Sequence, residues 1–179
     1  MTLYISGLNG SIDKGLGKYL TDKKLITDFI VLDLTFQELK FNEQIKLIKD
    51  KIQNNSSDTI QIIAVSFGAY LLLNSFIDSI TKVKSILLIS PVLGFVSLKQ
   101  GGRIPINYNN FSKALKNKTL NLPLETKIIY GSDDFICSEE SVNYFTSFFP
   151  TTTIFKIENG GHSLPHEIVE REVFEFLSS

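Results

Sequence analysis

The sequence predicts an α/β fold, namely a single domain with an open parallel sheet of about six strands flanked by helices. Short apolar segments rich in β-branched residues alternate with amphipathic segments along the whole chain, which is the order of a parallel sheet with right-handed crossovers. Several apolar segments are nearly continuous, as is typical of strands buried on both faces. A length of 179 residues fits one domain, and about six strands favour an open sheet over an eight-stranded barrel.

The predicted strands share this apolar, β-branched composition. In chain order they are Leu3–Ser6, Phe29–Leu34, Thr59–Val65, Lys84–Ser90, Thr126–Tyr130 and Thr152–Ile157. The predicted helices lie between them and show apolar residues at helical spacing or an N-terminal signal. They are Lys14–Lys24, which glycines interrupt, then Asn42–Gln53, Phe67–Ile80, Phe111–Lys118, Ser138–Phe148 and Pro165–Leu177.

The segment 91–110 breaks this alternation, because prolines and glycines are mixed with many apolar residues and no periodicity is clear. A long apolar connection in a compact domain often forms a lid or a binding loop. The segment follows the strand next to the one ending at Val65, so we expect it to cover a site there. Four of its side chains are candidate substrate contacts: Leu93, Phe95, Leu98 and Tyr108. The alternative is that these side chains only fill the core.

Composition excludes several classes of protein. Hydrophobic residues make up 43% and charged residues 21%, the balance of a globular chain rather than a disordered one. The net charge of −1 argues against binding to nucleic acid or to an anionic membrane surface. No apolar run approaches the length of a transmembrane helix. No secretory signal is visible, so a cytoplasmic location is expected. With Cys137 as its single cysteine, the chain has no intramolecular disulfide and no multi-cysteine zinc site.

A serine follows the third predicted strand, within Ala64-Val65-Ser66-Phe67-Gly68. A tight strand-to-helix turn projects such a hydroxyl above the edge of the sheet, and small residues two positions before and after the serine relieve the crowding. N–H groups at the start of the helix would also point at the site. Ser66 is therefore a candidate nucleophile. The alternative is that it merely caps the helix.

Acidic and basic candidates follow the fifth and sixth strands. After the last strand, the glycines of Gly160-Gly161-His162 let the loop bend back over the sheet, and a histidine suits a general base. His166 is the competitor, although its place in the first helical turn disfavours a protonated ring. The acidic candidates are Asp133 and Asp134, either of which could orient the histidine. Taken alone, both segments could be ordinary polar loops.

The loop after the first strand, Ser6-Gly7-Leu8-Asn9-Gly10-Ser11, could donate a backbone N–H to an oxyanion hole. A second donor would be the N–H of Phe67, the residue after the serine. The loop lacks the lysine and hydroxyl residue that end a phosphate-binding loop, and its glycines do not fit G-x-G-x-x-G. We therefore do not expect it to bind a nucleotide.

Serine, acid and histidine occur in that order at three strand ends, with a glycine-containing loop after the first strand. This arrangement resembles the α/β-hydrolase fold family over essentially the whole chain. The resemblance implies the strand order 2-1-3-4-5-6, Ser66 as nucleophile and His162 as base. It further implies Asp134 as the acid from the spacing G-x-x-D, with Asp133 as the alternative, and oxyanion donors at Leu8 and Phe67. Ala64 and Ser6 depart from the family's usual Gly and His.

The expected function is that of a serine hydrolase acting on a small or medium acyl ester, in the manner of a carboxylesterase, with no metal or organic cofactor. A thioester or an acyl amide is the alternative substrate. Because a fold does not determine a function, a weakly active binding module on the same fold is the alternative of a different class.

Overall fold

The sheet has six parallel strands in the order β2-β1-β3-β4-β5-β6. They are β1 Thr2–Leu8, β2 Asp28–Leu32, β3 Ile60–Val65, β4 Val83–Ile89, β5 Glu125–Gly131 and β6 Thr153–Ile157. The structure, a computed structural model, describes residues 1–57, 59–79, 82–94 and 104–179. The predicted fold class and strand order are both confirmed. All five strand pairs are parallel, so the carboxyl ends of the strands meet at one edge of the sheet.

Seven helices surround the sheet in the part of the chain that is described. They are α1 Gly15–Asp22, α2 Leu34–Glu38, α3 Phe41–Gln53, α4 Ser66–Ser75, α5 Tyr108–Asn117, α6 Glu139–Thr146 and α7 His166–Ser178. None of these helices has the length and hydrophobicity needed to cross a membrane.

The short helix α2 was not predicted. Leu34 was expected to end the second strand, but the strand ends at Leu32 and Leu34 begins the helix. The reason is local, because the Asp33 carboxylate accepts a hydrogen bond of 2.9 Å from the N–H of Phe36 and caps the turn. Phe36 then buries its ring in the core. The fourth helix is also shorter than predicted, since it ends at Ser75.

Alternate residues of each strand face opposite sides of the sheet, and each side has its own core. Strand residues such as Ile5, Ile62 and Ile128 pack with α3, α4, α5 and α6 in the larger core. Their neighbours, including Tyr4 and Ile63, pack with α1 and α7 in the smaller one. Both faces of the central strands are therefore covered, which explains their nearly continuous hydrophobic sequences.

The predicted lid-like segment 91–110 is not one loop, because α5 begins at Tyr108. Leu93 is only 2% exposed and belongs to the larger core. The ring of Tyr108 packs closely against Gly94, in the segment after β4, because a Cβ added to Gly94 would lie only 3.0 Å from this ring. Two further candidate contacts, Phe95 and Leu98, lie outside the described residues.

Candidate active site

Ser66 stands at the turn between β3 and α4, with no residue between strand and helix. Its φ angle of 50° lies in the left-handed region that non-glycine residues rarely adopt, so the turn is strained. The helix is capped by Val65, so Ser66 is not the capping residue. Gly68 permits the turn, because a Cβ at that position would overlap the carbonyl oxygen of Ser6 in the neighbouring strand. Close packing of α4 on β1 thus holds Ser66 above the edge of the sheet.

A chain of two hydrogen bonds joins the three candidate side chains. The Ser66 Oγ atom lies 2.9 Å from His162 Nε2, and His162 Nδ1 lies 2.8 Å from Asp134 Oδ2. A carboxylate beside Nδ1 favours the tautomer with its proton there, which leaves Nε2 to accept the serine proton. This arrangement can activate the hydroxyl of Ser66 as a nucleophile.

The carboxylate of Asp134 is fully buried and held on both oxygens. Its Oδ1 accepts hydrogen bonds from the N–H groups of Ile136 and Cys137, at 2.8 and 2.9 Å. Its Oδ2 is thereby aimed at His162. Backbone donors favour the charged carboxylate and fix its orientation, which in turn fixes the ring plane of the histidine.

The neighbouring Asp133 has a different partner. Its Oδ1 accepts a hydrogen bond of 2.7 Å from the N–H of Gly161, in the loop that carries His162. Gly131 permits this approach, because a Cβ there would overlap the backbone of Gly161. Of the two aspartates left open by the sequence, Asp134 contacts the ring and Asp133 supports the loop. His166 lies beside α1, and no hydrogen bond joins it to Ser66 in the described part of the chain.

The two candidate oxyanion donors flank Ser66. Phe67 lies in the first turn of α4, where backbone N–H groups have no acceptor within the helix. Leu8 ends β1 next to Gly7, where a Cβ would lie 3.3 Å from the Ser66 Cβ. Ser6 occupies the position at which the α/β-hydrolase fold family, which the sequence resembles, commonly has histidine. Its hydroxyl accepts a hydrogen bond from the N–H of Leu32 and donates one to the carbonyl of Gly7, which ties the loop to β2.

A cleft of about 520 Å³ begins at Ser66 and His162 and continues between α1 and α7. Its walls are largely apolar, and the side chains that form them include those of Leu8, Leu16, Val65, Ile89, Ile136, Leu164 and Val169. Polar side chains also line it, namely those of Tyr4, Ser11, Lys14, Ser163, His166 and Glu170. No local sequence pattern indicates this cleft, because its two helical walls, α1 and α7, are far apart in the chain. Neither Leu93 nor Tyr108 lines it.

Burial changes the acidity of two groups near the site. Burial, with a smaller effect of the Asp134 charge, raises the pKa of the Cys137 thiol well above its usual range. Cys137 is therefore held as a neutral thiol and is a poor nucleophile. Burial also raises the pKa of Tyr4 to about 12, so its phenol stays protonated at neutral pH. No group of three or more His, Cys, Asp or Glu side chains within the described ranges is arranged to hold a metal ion.

The sequence matches no protein-family model and no curated protein. Its structure is similar to several solved ones over 99% of the chain. A YdeN-like hydrolase from Pectobacterium atrosepticum is 12% identical, with a TM-score of 0.67 and 90% of that chain covered. The Est1E protein of Butyrivibrio proteoclasticus, solved with ferulic acid, is 14% identical, with a TM-score of 0.69 and 87% covered. A monoacylglycerol lipase from Paleococcus ferrophilus is 16% identical, with a TM-score of 0.67 and 93% covered. At these identities the similarity shows a shared fold.

Proposed function

We propose that this chain, which has the α/β-hydrolase fold, is a serine hydrolase that cleaves a small or medium acyl ester with Ser66, His162 and Asp134 as its catalytic triad. The observation that carries the proposal is the continuous path of hydrogen bonds from Ser66 Oγ through His162 to Asp134, at 2.9 and 2.8 Å. The strained φ angle of Ser66 supports it, because backbone strain is concentrated at functional sites.

In the proposed mechanism, Ser66 Oγ attacks the ester carbonyl carbon while His162 Nε2 takes the hydroxyl proton. The buried carboxylate of Asp134 stabilises the imidazolium. The N–H groups of Leu8 and Phe67 donate to the oxyanion of the tetrahedral intermediate. His162 then gives its proton to the leaving alcohol, and the acyl group stays on the serine. Water, deprotonated by His162, releases the acid and regenerates the hydroxyl.

The cleft supports an acyl ester as the substrate. Its volume and its largely apolar walls suit a short or medium acyl chain, and they begin at Ser66 itself. Two of the solved structures similar to this one carry names tied to ester chemistry, a monoacylglycerol lipase and an esterase of Pyrococcus furiosus. A thioester or an amide would pass through the same steps, but these names favour the ester.

The direct experiment measures hydrolysis of para-nitrophenyl butyrate by the wild-type protein and by Ser66→Ala. We expect the variant to lose activity by roughly 10⁴- to 10⁶-fold, because the nucleophile is removed. Ser163→Ala is the matched control, since Ser163 also lines the cleft but its hydroxyl takes no part in the hydrogen bonds that join Ser66, His162 and Asp134. It should keep most of the activity. A folded wild-type protein that hydrolyses no acyl ester or thioester would instead favour the binding module.

A further inference from the structure

Ser90 has a buried hydroxyl group to which the proposed reaction gives no role. The residue comes directly after β4, is only 1% exposed, and its Oγ atom has no hydrogen-bond partner among the described residues. Its φ angle of 43° lies in the left-handed region, as does that of Ser66. An unpaired buried hydroxyl and a strained backbone each cost free energy, and strained residues are concentrated at functional sites. Both features therefore point to a function for Ser90.

Ser90 lies at the strand end between the candidate nucleophile and the candidate acid. In the sheet, β4 stands between β3, which Ser66 follows, and β5, which leads into the turn with Asp134. The N–H of Ser90 donates a hydrogen bond of 2.8 Å to the carbonyl of Ile129 in β5. Because His162 is hydrogen-bonded to both Ser66 and Asp134, its ring spans the end of β4, where Ser90 lies.

The Asp134 carboxylate has unused acceptor capacity at this edge of the sheet. Each carboxylate oxygen can accept about two hydrogen bonds. Oδ1 accepts two, from the N–H groups of Ile136 and Cys137, whereas Oδ2 accepts only the one from His162 among the described residues. The carboxylate is 0% exposed, so solvent does not reach it. One buried acceptor and the Ser90 donor, each short of a partner, thus belong to neighbouring strand ends.

We propose that Ser90 is a positioning residue of the triad, and that its hydroxyl rotates about the Cα–Cβ bond to donate a hydrogen bond to Oδ2 of Asp134. The inference rests on the proposed function. Hydrogen bonds of catalytic groups are often long or misaligned in the unliganded protein and tighten in the complex. A donor on Oδ2 withdraws negative charge from the carboxylate, which then holds the protonated ring of His162 less strongly. Ser90 thereby keeps His162 neutral, and able to accept the Ser66 proton, at lower pH.

The test follows the titration of the His162 ring by NMR in a His166→Gln background, which leaves His162 as the only histidine in the chain. We expect Ser90→Ala to raise the titration midpoint by roughly 0.3 to 1 pH unit, because the carboxylate that pairs with the protonated ring loses a donor. In the native background, the acid limb of kcat/KM for para-nitrophenyl butyrate should shift equally. Well below the midpoint this shift is a roughly two- to ten-fold loss, whereas the rate at high pH should change little.

Ser85→Ala is the matched control for the loss of a buried hydroxyl. Ser85 is also in β4, is 0% exposed, and has an Oγ atom without a partner among the described residues. It lies five residues before Ser90, roughly 16 Å along the strand, so its loss should leave the midpoint unchanged. The other titratable groups around the site are the same in all these variants: Tyr4, Lys14, Asp133, Cys137 and Glu170.

Ser90→Gly separates positioning from packing, because glycine adopts a φ angle of 43° without strain. In urea unfolding this variant should be at least as stable as Ser90→Ala. It should still show the raised midpoint, since it too lacks the hydroxyl. A purely structural role would instead make the midpoint independent of both substitutions.

A midpoint that stays the same or falls in Ser90→Ala, or that rises as much in Ser85→Ala, would overturn the role of Ser90. The NMR titration needs no turnover, so the two proposals fail separately. If hydrolysis depends on Ser66 but the midpoint does not rise, only the inference about Ser90 is wrong. If the midpoint rises but the wild-type protein hydrolyses no acyl ester or thioester, the hydrogen bond to Asp134 is supported and the serine hydrolase proposal is wrong.

Discussion

The cleft has two parts that are built in different ways: the rim, where Ser66 and His162 lie, and the lower cleft between α1 and α7, which includes Tyr4 and His166. At the rim, Ser66, His162 and Asp134 are joined to one another by short hydrogen bonds. Lower down, between α1 and α7, the polar side chains of Tyr4 and His166 have no hydrogen-bond partner among the described residues. A fixed rim suits chemistry that is the same for every substrate. An unpaired lower cleft suits recognition of whatever chain enters it. Substitutions at the rim should therefore reduce all turnover, and substitutions below it should alter substrate preference.

The largest effect is expected at the rim. His162→Ala should reduce kcat by roughly 10⁴- to 10⁶-fold, as should Ser66→Ala, and the double variant should be hardly worse because the residues act as a unit. His166→Ala is the control, since His166 lies in the lower cleft. Steady-state hydrolysis of para-nitrophenyl butyrate measures all four. Near-native turnover by His162→Ala together with loss in His166→Ala would assign the base to the other histidine.

The two adjacent aspartates should differ sharply. Asp134→Asn should reduce kcat by roughly 10²- to 10⁴-fold, because an amide no longer stabilises the imidazolium or the required tautomer. Asp133→Asn keeps an oxygen that can accept the Gly161 N–H, so its loss should be small. The ratio of the two kcat values measures the difference. Equal losses would contradict the separate roles assigned to the two carboxylates.

The rim also depends on the packing of α4 against β1. Gly68→Ala should lower the free energy of unfolding by about 1 to 3 kcal/mol, because the added methyl group overlaps the Ser6 carbonyl and forces the backbone to move. Gly7→Ala is the milder comparison, since its nearest contact would be 3.3 Å from the Ser66 Cβ. Urea unfolding measures both. A Gly68→Ala protein as stable as wild type would show that the turn is not tightly packed.

A smaller effect is expected in α7, one of the two helices that flank the lower cleft, at the point where Glu172 joins this helix to β5. Its buried carboxylate accepts a hydrogen bond of 2.6 Å from Lys127 and another from Arg171. Burial alone would raise the pKa of Glu172, but these two hydrogen bonds and charges together lower it below the ordinary 4.5. Glu172→Gln should therefore cost about 1 kcal/mol of unfolding free energy at neutral pH.

The sign of the pH dependence follows from that lowered pKa. The stabilisation is complete above the unfolded-state pKa and is lost as the pH falls through the folded-state pKa. The stability difference between wild type and Glu172→Gln should accordingly shrink below about pH 4.5. Unfolding curves at neutral and acidic pH measure it. A difference that grew on acidification would contradict the assigned direction.

The strands and the three rim residues could be predicted from the sequence for physical reasons. Strands buried on both faces show nearly continuous apolar sequences, and parallel order brings their carboxyl ends together. Ser66, Asp134 and His162 follow three such ends, so topology alone places them at one edge. The small residue Gly68 marked the tight turn.

Other features depend on contacts that no local pattern shows. The helix α2 is only five residues long and rests on a single cap from Asp33. Leu93 belongs to a segment whose composition is typical of a lid, but its side chain is buried in the core. The N–H of the preceding residue, Val92, donates a hydrogen bond to the Ser66 carbonyl and holds the chain there. Tyr4 looked like one more apolar residue of a buried strand. Its distinct surroundings arise only when α1 and α7 meet over it.

The central claim is that Ser66 is an activated nucleophile, and covalent labelling with a fluorophosphonate probe tests it most directly. Intact mass spectrometry and peptide mapping should show one label per chain, located on Ser66. His162→Ala should react far more slowly, and Ser163→Ala should react like wild type. A folded wild-type protein that takes no label, or takes it on a residue other than Ser66, would contradict the account.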